Sequence, residues 1–260
     1  ASLPPLTATA AGGNNEIIWY RADFPPVTIP FGDQANKGFF DKTMHFLIER
    51  MPGYTHSFEV ANFKRIMMEI ESDRNVCCPS LYKTAERERY VAFSAPAMIV
   101  LPNGIISSKQ NREKFAPHLD EEGRVSLTSL LRDSSVTIGI SNGRLYSGGI
   151  DEILKEFQGS KNILVRSGND VFRGLMSMMH MGRINGLLGY PVEAGFFARK
   201  GEAPKDFVYY PIKESSVLYT VGYIGCPDTD WGREVIEQID KIVLEHRDTD
   251  FIDFYGEWLD

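Results

Sequence analysis

The sequence predicts an α/β protein of two units, each a mostly parallel sheet flanked by helices. Three observations carry this. The first eighty residues alternate strand-like and helix-like stretches in a β-α-β-α-β order, which requires crossover helices and hence parallel strands. The same alternation resumes from Val136. Met98–Leu101 and Gly104–Ser107 are extended and carry the chain away from the first unit, Val217–Ile224 reads as the return crossing, and the lobes are expected to close about crossings near Phe93–Ala97 and Val217–Val221. The expected partition is 16–95 with 222–260 as one lobe, 96–221 as the other, and 1–15 as a flexible leader.

The totals agree with a folded α/β chain. Of 260 residues, 43% are hydrophobic and 12% aromatic, enough for a substantial core. The formal net charge of -7 and the lack of a Lys/Arg cluster weigh against a nucleic-acid partner. No stretch reaches the ~18 apolar residues of a membrane span. No Gly-x-Ser-x-Gly, Walker or zinc motif appears, and the five histidines are scattered, so neither cofactor nor metal is expected.

The elements follow in order. Glu16–Tyr20 is a strand, ended by Pro25-Pro26, which can neither continue a helix nor donate to a ladder. Phe40, Met44, Leu47, Ile48 and Met51 recur at helical spacing, and Pro52-Gly53 stops that helix. Tyr54–Val60 is a second strand. Asn62 caps a helix whose stripe is Phe63, Ile66, Met67 and Ile70. Asn75–Cys78 is a third strand. Ligands in such sheets bind at the carboxyl ends of strands, here the loops Arg21–Pro26, the Asn62 region and Ser80–Arg87. Lys109–Gly123 reads as a polar loop and Val125–Leu131 as a short helix. Strands at Val136–Ile140, Asn162–Val165, Leu187–Tyr190 and Phe207–Pro211 alternate with helices around Ile150–Phe157 and Asp170–Met181. Trp231, Val235, Ile239, Ile242 and Val243 mark a late amphipathic helix, and Phe251, Phe254, Tyr255 and Trp258 a further one.

The stretch from Cys77 to Ser94 organises the functional reading. Thr84 is placed to cap a short charged turn, and Arg87 beside the Ser80 and Tyr82 hydroxyls makes an anion-binding constellation. Thr84-x-x-Arg87 followed by Phe93-Ser94-x-Pro96 resembles the signature of periplasmic solute-binding proteins of the amino-acid-binding type (family 3). Phe24-Pro25-Pro26, Gly38-Phe39-x-Asp41, a strand followed by Asn142-Gly143, and the late helix recur in the family's order. The resemblance implies the two-lobe periplasmic binding protein-like fold of type II. It implies a monomer in the periplasm, with any signal segment removed, that closes on a small-molecule ligand. The ligand would be carboxylate- or amino-acid-like, passed to the permease of an ABC importer or to a sensor. A dehydratase-like enzyme on the same scaffold is the rival.

Carried over residue by residue, the resemblance implies that Arg87 grips a ligand carboxylate with Ser80 and Tyr82 beside it. Phe24 covers the ligand, Asn62 reaches it from a helix start, and the loop Asn142-Gly143-Arg144 closes on its carboxylate end. Arg21 occupies a position that in basic-amino-acid binders carries an acid. In Gly182-Arg183-Ile184-Asn185, Asn185 replaces the family's ammonium-binding Asp. Three potential cations and no assigned acid favour an anionic carboxylate or dicarboxylate. The alternatives are that Arg21 and Arg144 point outward and only Arg87 reaches the cleft, or that Asp23 or Glu88 turns inward and restores an ammonium site. The three cysteines, Cys77, Cys78 and Cys226, leave two readings: buried free thiols, or a bridge from Cys226 to Cys77 or Cys78 in an oxidising compartment.

Overall fold

The computed structural model describes residues 15–146, 148–168, 170–203 and 205–259; the expected leader, apart from Asn15, lies outside them. The first run is β1 (Glu16–Arg21), α1 (Phe39–Glu49), β2 (Thr55–Val60), α2 (Phe63–Glu71) and β3 (Val76–Leu81), followed by β4 (Val91–Phe93) and β5 (Met98–Val100). The middle of the chain forms β6 (Gly104–Ser108), α3 (Arg112–Phe115), α4 (Leu127–Arg132), β7 (Ile138–Ser141), α5 (Ile150–Glu156) and β8 (Ile163–Arg166). It continues through α6 (Val171–His180), β9 (Gly186–Gly189), α7 (Pro191–Arg199) and β10 (Phe207–Pro211). Then come β11 (Thr220–Pro227), α8 (Asp230–His246) and α9 (Asp250–Gly256).

These strands make two sheets. One runs β2-β1-β3-β11-β4 with β5 also on β11, the other β10-β6-β9-β7-β8. In the first, β1 is parallel to β2 and β3; in the second, β7 is parallel to β8 and β9. The remaining strands join antiparallel, because a strand arriving from the other sheet enters against the crossover direction. The chain leaves the first sheet after Val100 and returns at Thr220.

Both faces of each sheet are covered, and alternation along the strands divides the core. Ile105 and Leu188 pack on one face of the second sheet, while Ile106 and Leu187 pack on the other. In the first sheet Ile17, Trp19 and Cys77 share a cluster with α1, α8 and α9, while Tyr20, Val76 and Cys78 face α2. This period of two decides the cysteine partner. Cys226 belongs to the Cys77 face, and Cys77 and Cys226 are bonded across β3 and β11 with Cα atoms 4.3 Å apart. Cys78 points the other way and is a buried free thiol.

Two local features differ from expectation. The stretch read as a polar loop contains α3, a single helical turn that drives Phe115 fully into the core. Its one apolar residue is decided by tertiary contact with Tyr210, which periodicity over four residues does not report. The start of α4 is closed from far along the chain: the Glu214 carboxylate accepts from Ser126 Oγ (2.7 Å), Leu127 N (2.9 Å) and Thr128 N (3.1 Å).

Two outcomes follow. Thiol titration of the denatured, unreduced chain gives one reactive group, Cys78, and three after reduction. In the native state that thiol resists alkylation, since burial pushes it up to about 12. Cys226→Ala lowers unfolding free energy by about 2–5 kcal/mol. Glu214 is the second case. Burial would raise its carboxyl, but the Ser126 and backbone donors prevail and hold it below its ordinary value near 4.5. Its contribution is therefore present above that value and lost as pH falls through the folded-state value. The gap in urea midpoint between wild type and Glu214→Gln is widest at pH 7 and narrows by pH 3.

Candidate functional site

A cavity of about 90 Å³ lies between the two sheets. Its walls are the segments that follow the carboxyl ends of β1, β3, β7 and β9, together with the starts of α1 and α2 and the paired strands β5 and β11. The lining is mainly apolar: Phe24, Phe39, Phe40, Phe63, Leu81, Met98, Leu145 and Val192 all contribute.

Six of the residues singled out in the sequence line it: Phe24, Ser80, Tyr82, Arg87, Gly143 and Arg144. Arg87 sits in a 3-10 turn capped by Thr84, whose hydroxyl accepts from Arg87 N (3.2 Å). The Arg87 guanidinium donates to the Tyr82 carbonyl (3.0 Å), and no carboxylate lies within ion-pair distance among the described residues. Phe24 is held in place by a tight backbone exchange with Thr28 (3.0 Å each way) and meets Phe63 edge-on.

Arg144 lines the cavity but is already neutralised. Its guanidinium makes a two-pronged pair with Glu193 (3.0 and 2.6 Å) and donates to Asn103 Oδ1 (3.2 Å). Three rings surround it, Phe24, Tyr146 and Tyr190, at 5.0–5.3 Å. Burial alone would lower its pKa, but the adjacent Glu193 carboxylate outweighs burial and keeps the charge in place. Asn103, on the outgoing crossing, also donates to the Tyr82 hydroxyl (3.2 Å) and the Tyr146 carbonyl (2.9 Å). Tyr82 belongs to the first unit and Arg144 to the second, so this network spans the cleft.

Four expected contacts are not at the cavity. Arg21 turns into its own unit, pairing with the fully buried Asp41 (2.7 Å). Asp41 in turn accepts from Ile29 N (2.6 Å) and Gly38 N (3.1 Å), so the Arg21–Asp41 pair staples the loop carrying Phe24. Asn62 is consumed as the cap of α2, accepting from Arg65 N (3.0 Å). Asn142 donates to Ser167 Oγ (3.0 Å) at the surface. Gly143 occupies a left-handed turn, φ 73°, and the next helix starts only at Ile150, so no helix start faces the cavity there. Asn185 lies at the amino end of β9, where its side chain accepts from Thr137 N (2.8 Å). Of the two acids considered, Glu88 pairs with Lys83 (2.8 Å), and Asp23 is not in the lining; its charged neighbours are Arg173, Asp170 and Lys200.

The residues missed are Tyr190, Glu193, Asn103 and Thr220. Tyr190 was within reach of sequence reasoning: it follows β9 directly, and the carboxyl end of a parallel strand is where the cleft lies. The end-of-strand position therefore holds an aromatic ring, not an acid. Thr220 Oγ1 is buried and adjoins the Tyr82 phenol.

No protein-family model matches the chain, and no curated protein does. Solved structures do. A histidine kinase sensor domain with similarity to periplasmic binding proteins superposes with a TM-score of 0.68 at 14% identity, covering 94% of this chain and 96% of that one. An ancestral amino-acid-binding protein, a precursor of cyclohexadienyl dehydratase, gives 0.69 at 15% identity over 95% and 96%. The "probable amino-acid ABC transporter extracellular-binding protein ytmK" of Bacillus subtilis gives 0.67 at 14% over 94% and 96%. The chain thus has the two-lobe α/β fold of the periplasmic binding proteins, in the form its amino-acid-binding neighbours share, with a cavity between the lobes. At these identities the likeness speaks for fold.

The Arg144–Glu193 pair sets the site's sensitivity to mutation. Glu193→Ala leaves a guanidinium buried among aromatic rings without its counter-charge and lowers stability by about 3–5 kcal/mol in urea unfolding. Replacing both partners with apolar residues of similar size, Arg144→Met with Glu193→Leu, restores most of that loss.

Proposed function

We propose that the protein captures a small polar ligand of net negative charge, bearing a carboxylate, between its lobes and presents it to an ABC importer or to a sensor. The observation that carries this is the charge balance of the cavity. Arg87 alone among the lining cations lacks a carboxylate partner among the described residues, while Arg144 is paired with Glu193. A guanidinium in such a setting favours an anionic partner with two oxygens. The Ser80 and Tyr82 positions flank it, as the resemblance to family 3 implies. The neighbours support both destinations: one is a sensor domain and another an ABC transporter binding protein.

The bodies that move are two lobes close to the expected partition, except that β5 and the start of β11, paired within the first sheet, move with the first lobe; the links at 101–103 and 212–219, in place of the expected crossings near Phe93–Ala97 and Val217–Val221, act as hinges. A periplasmic setting fits the Cys77–Cys226 bond, since disulfides persist in oxidising compartments. The lining offers no Asp, Glu or His among the described residues for proton transfer, which favours binding over turnover.

The test is a thermal-shift screen of carboxylates against lysine, arginine and histidine, with Arg87→Ala in parallel. Carboxylates raise the melting temperature and the basic amino acids do not. Arg87→Ala loses the shift while its unliganded stability stays within about 1 kcal/mol of wild type, as for a residue outside the core. Stabilisation by basic amino acids alone overturns the proposal.

A further inference from the structure

We infer that the ligand is a short monocarboxylate with an apolar body and no cationic group, a branched aliphatic acid being the type. This rests on the carboxylate-anchor reading and narrows it. Three features of the cavity point the same way.

The first is the absence of any counter-charge for an ammonium. No Asp or Glu lines the cavity among the described residues. The nearest buried carboxylate, Glu193, is held on both oxygens by Arg144 and also accepts from Tyr190 N (3.0 Å). Its donors occupy it, and withdrawing it would expose the Arg144 charge to a ring of aromatics. Asn185 and Asp23, the other places where an ammonium could be met, lie outside the lining. An α-amino acid would therefore bury its ammonium unpaired, which a low-dielectric site penalises strongly.

The second is the number of unpaired cations. With Arg144 neutralised, only Arg87 among the lining residues is left to meet a carboxylate. Ser80 lines the same cavity, so a carboxylate has a hydroxyl to meet besides the guanidinium. A second carboxylate would find none of this, which separates a monocarboxylate from a dicarboxylate.

The third is the remaining wall. Phe63, Leu81, Met98, Leu145 and Val192 present carbon to the ligand body. The cavity is about 90 Å³, which favours a short body over a long or fused-ring one.

The experiment is isothermal titration of the intact chain with four probes. These are 3-methylbutanoate, its 2-amino counterpart valine, butanedioate, and 3-methylbutylamine. Arg87→Gln, checked by circular dichroism for an unchanged fold, is titrated alongside. The expected result is that 3-methylbutanoate binds at least about tenfold more tightly than valine and butanedioate, and that Arg87→Gln loses this binding. If valine or butanedioate binds as well as 3-methylbutanoate, and Arg87→Gln abolishes both, the apolar-monocarboxylate inference falls while the carboxylate anchor stands. If the amine binds and the carboxylates do not, or if none of the four binds at millimolar concentration, both fall.

Discussion

One buried ion pair, Arg144 with Glu193, holds together parts of the molecule that are distant in sequence. Glu193 stands in the first turn of α7 and also accepts from the backbone N–H of Tyr190, so the carboxylate that neutralises Arg144 also caps the helix that follows β9. Arg144 reaches across to Phe24 of the other lobe and donates to Asn103 on the link between them. Asn103 then carries the network to Tyr82. A single charge thereby fixes the loop after β7, the loop after β9, the outgoing link and one wall of the first lobe. Buried ion pairs often add little net stability, because desolvation offsets attraction. What this one supplies is position: a guanidinium with five donors in a rigid fork accepts few alternative arrangements.

A second buried pair works on the opposite wall. Arg21 and Asp41 do not touch the cavity, yet Asp41 gathers two backbone donors of the loop that holds Phe24. Two of the three arginines that suggested a strongly cationic site are thus structural, each matched by an acid on a neighbouring helix. The cavity they frame is less polar than a count of charges along the sequence implies, and its specificity depends on carbon surface around one unpaired guanidinium.

The fold was largely legible because its signals are local and periodic. The first β-α-β-α-β run, the β10 strand and the late α8 helix are where spacing placed them. The Thr84–Arg87 turn was equally readable, since a cap and its partner lie three residues apart. What the sequence left open are matters of register and long-range pairing. Whether Cys226 meets Cys77 or Cys78 depends on which residues of β11 oppose β3, a pairing made across 149 positions. Likewise, nothing near Arg144 in sequence announces that Glu193 will neutralise it. Asn185 differs for another reason: its motif lies at the amino end of β9, whereas the cleft lies at the strand's carboxyl end, where Tyr190 stands.

The disulfide has a mechanical consequence. Its two cysteines are 149 positions apart, and every strand of the second sheet lies between them. A stretching force applied at the two ends of the chain would pass through the covalent bond and on into α8, bypassing the second lobe. About 500 Å of polypeptide contour would stay hidden from the force, and would appear as an added extension only after reduction. In the oxidised molecule the ligand-facing loops of that lobe are insulated from tension on the first.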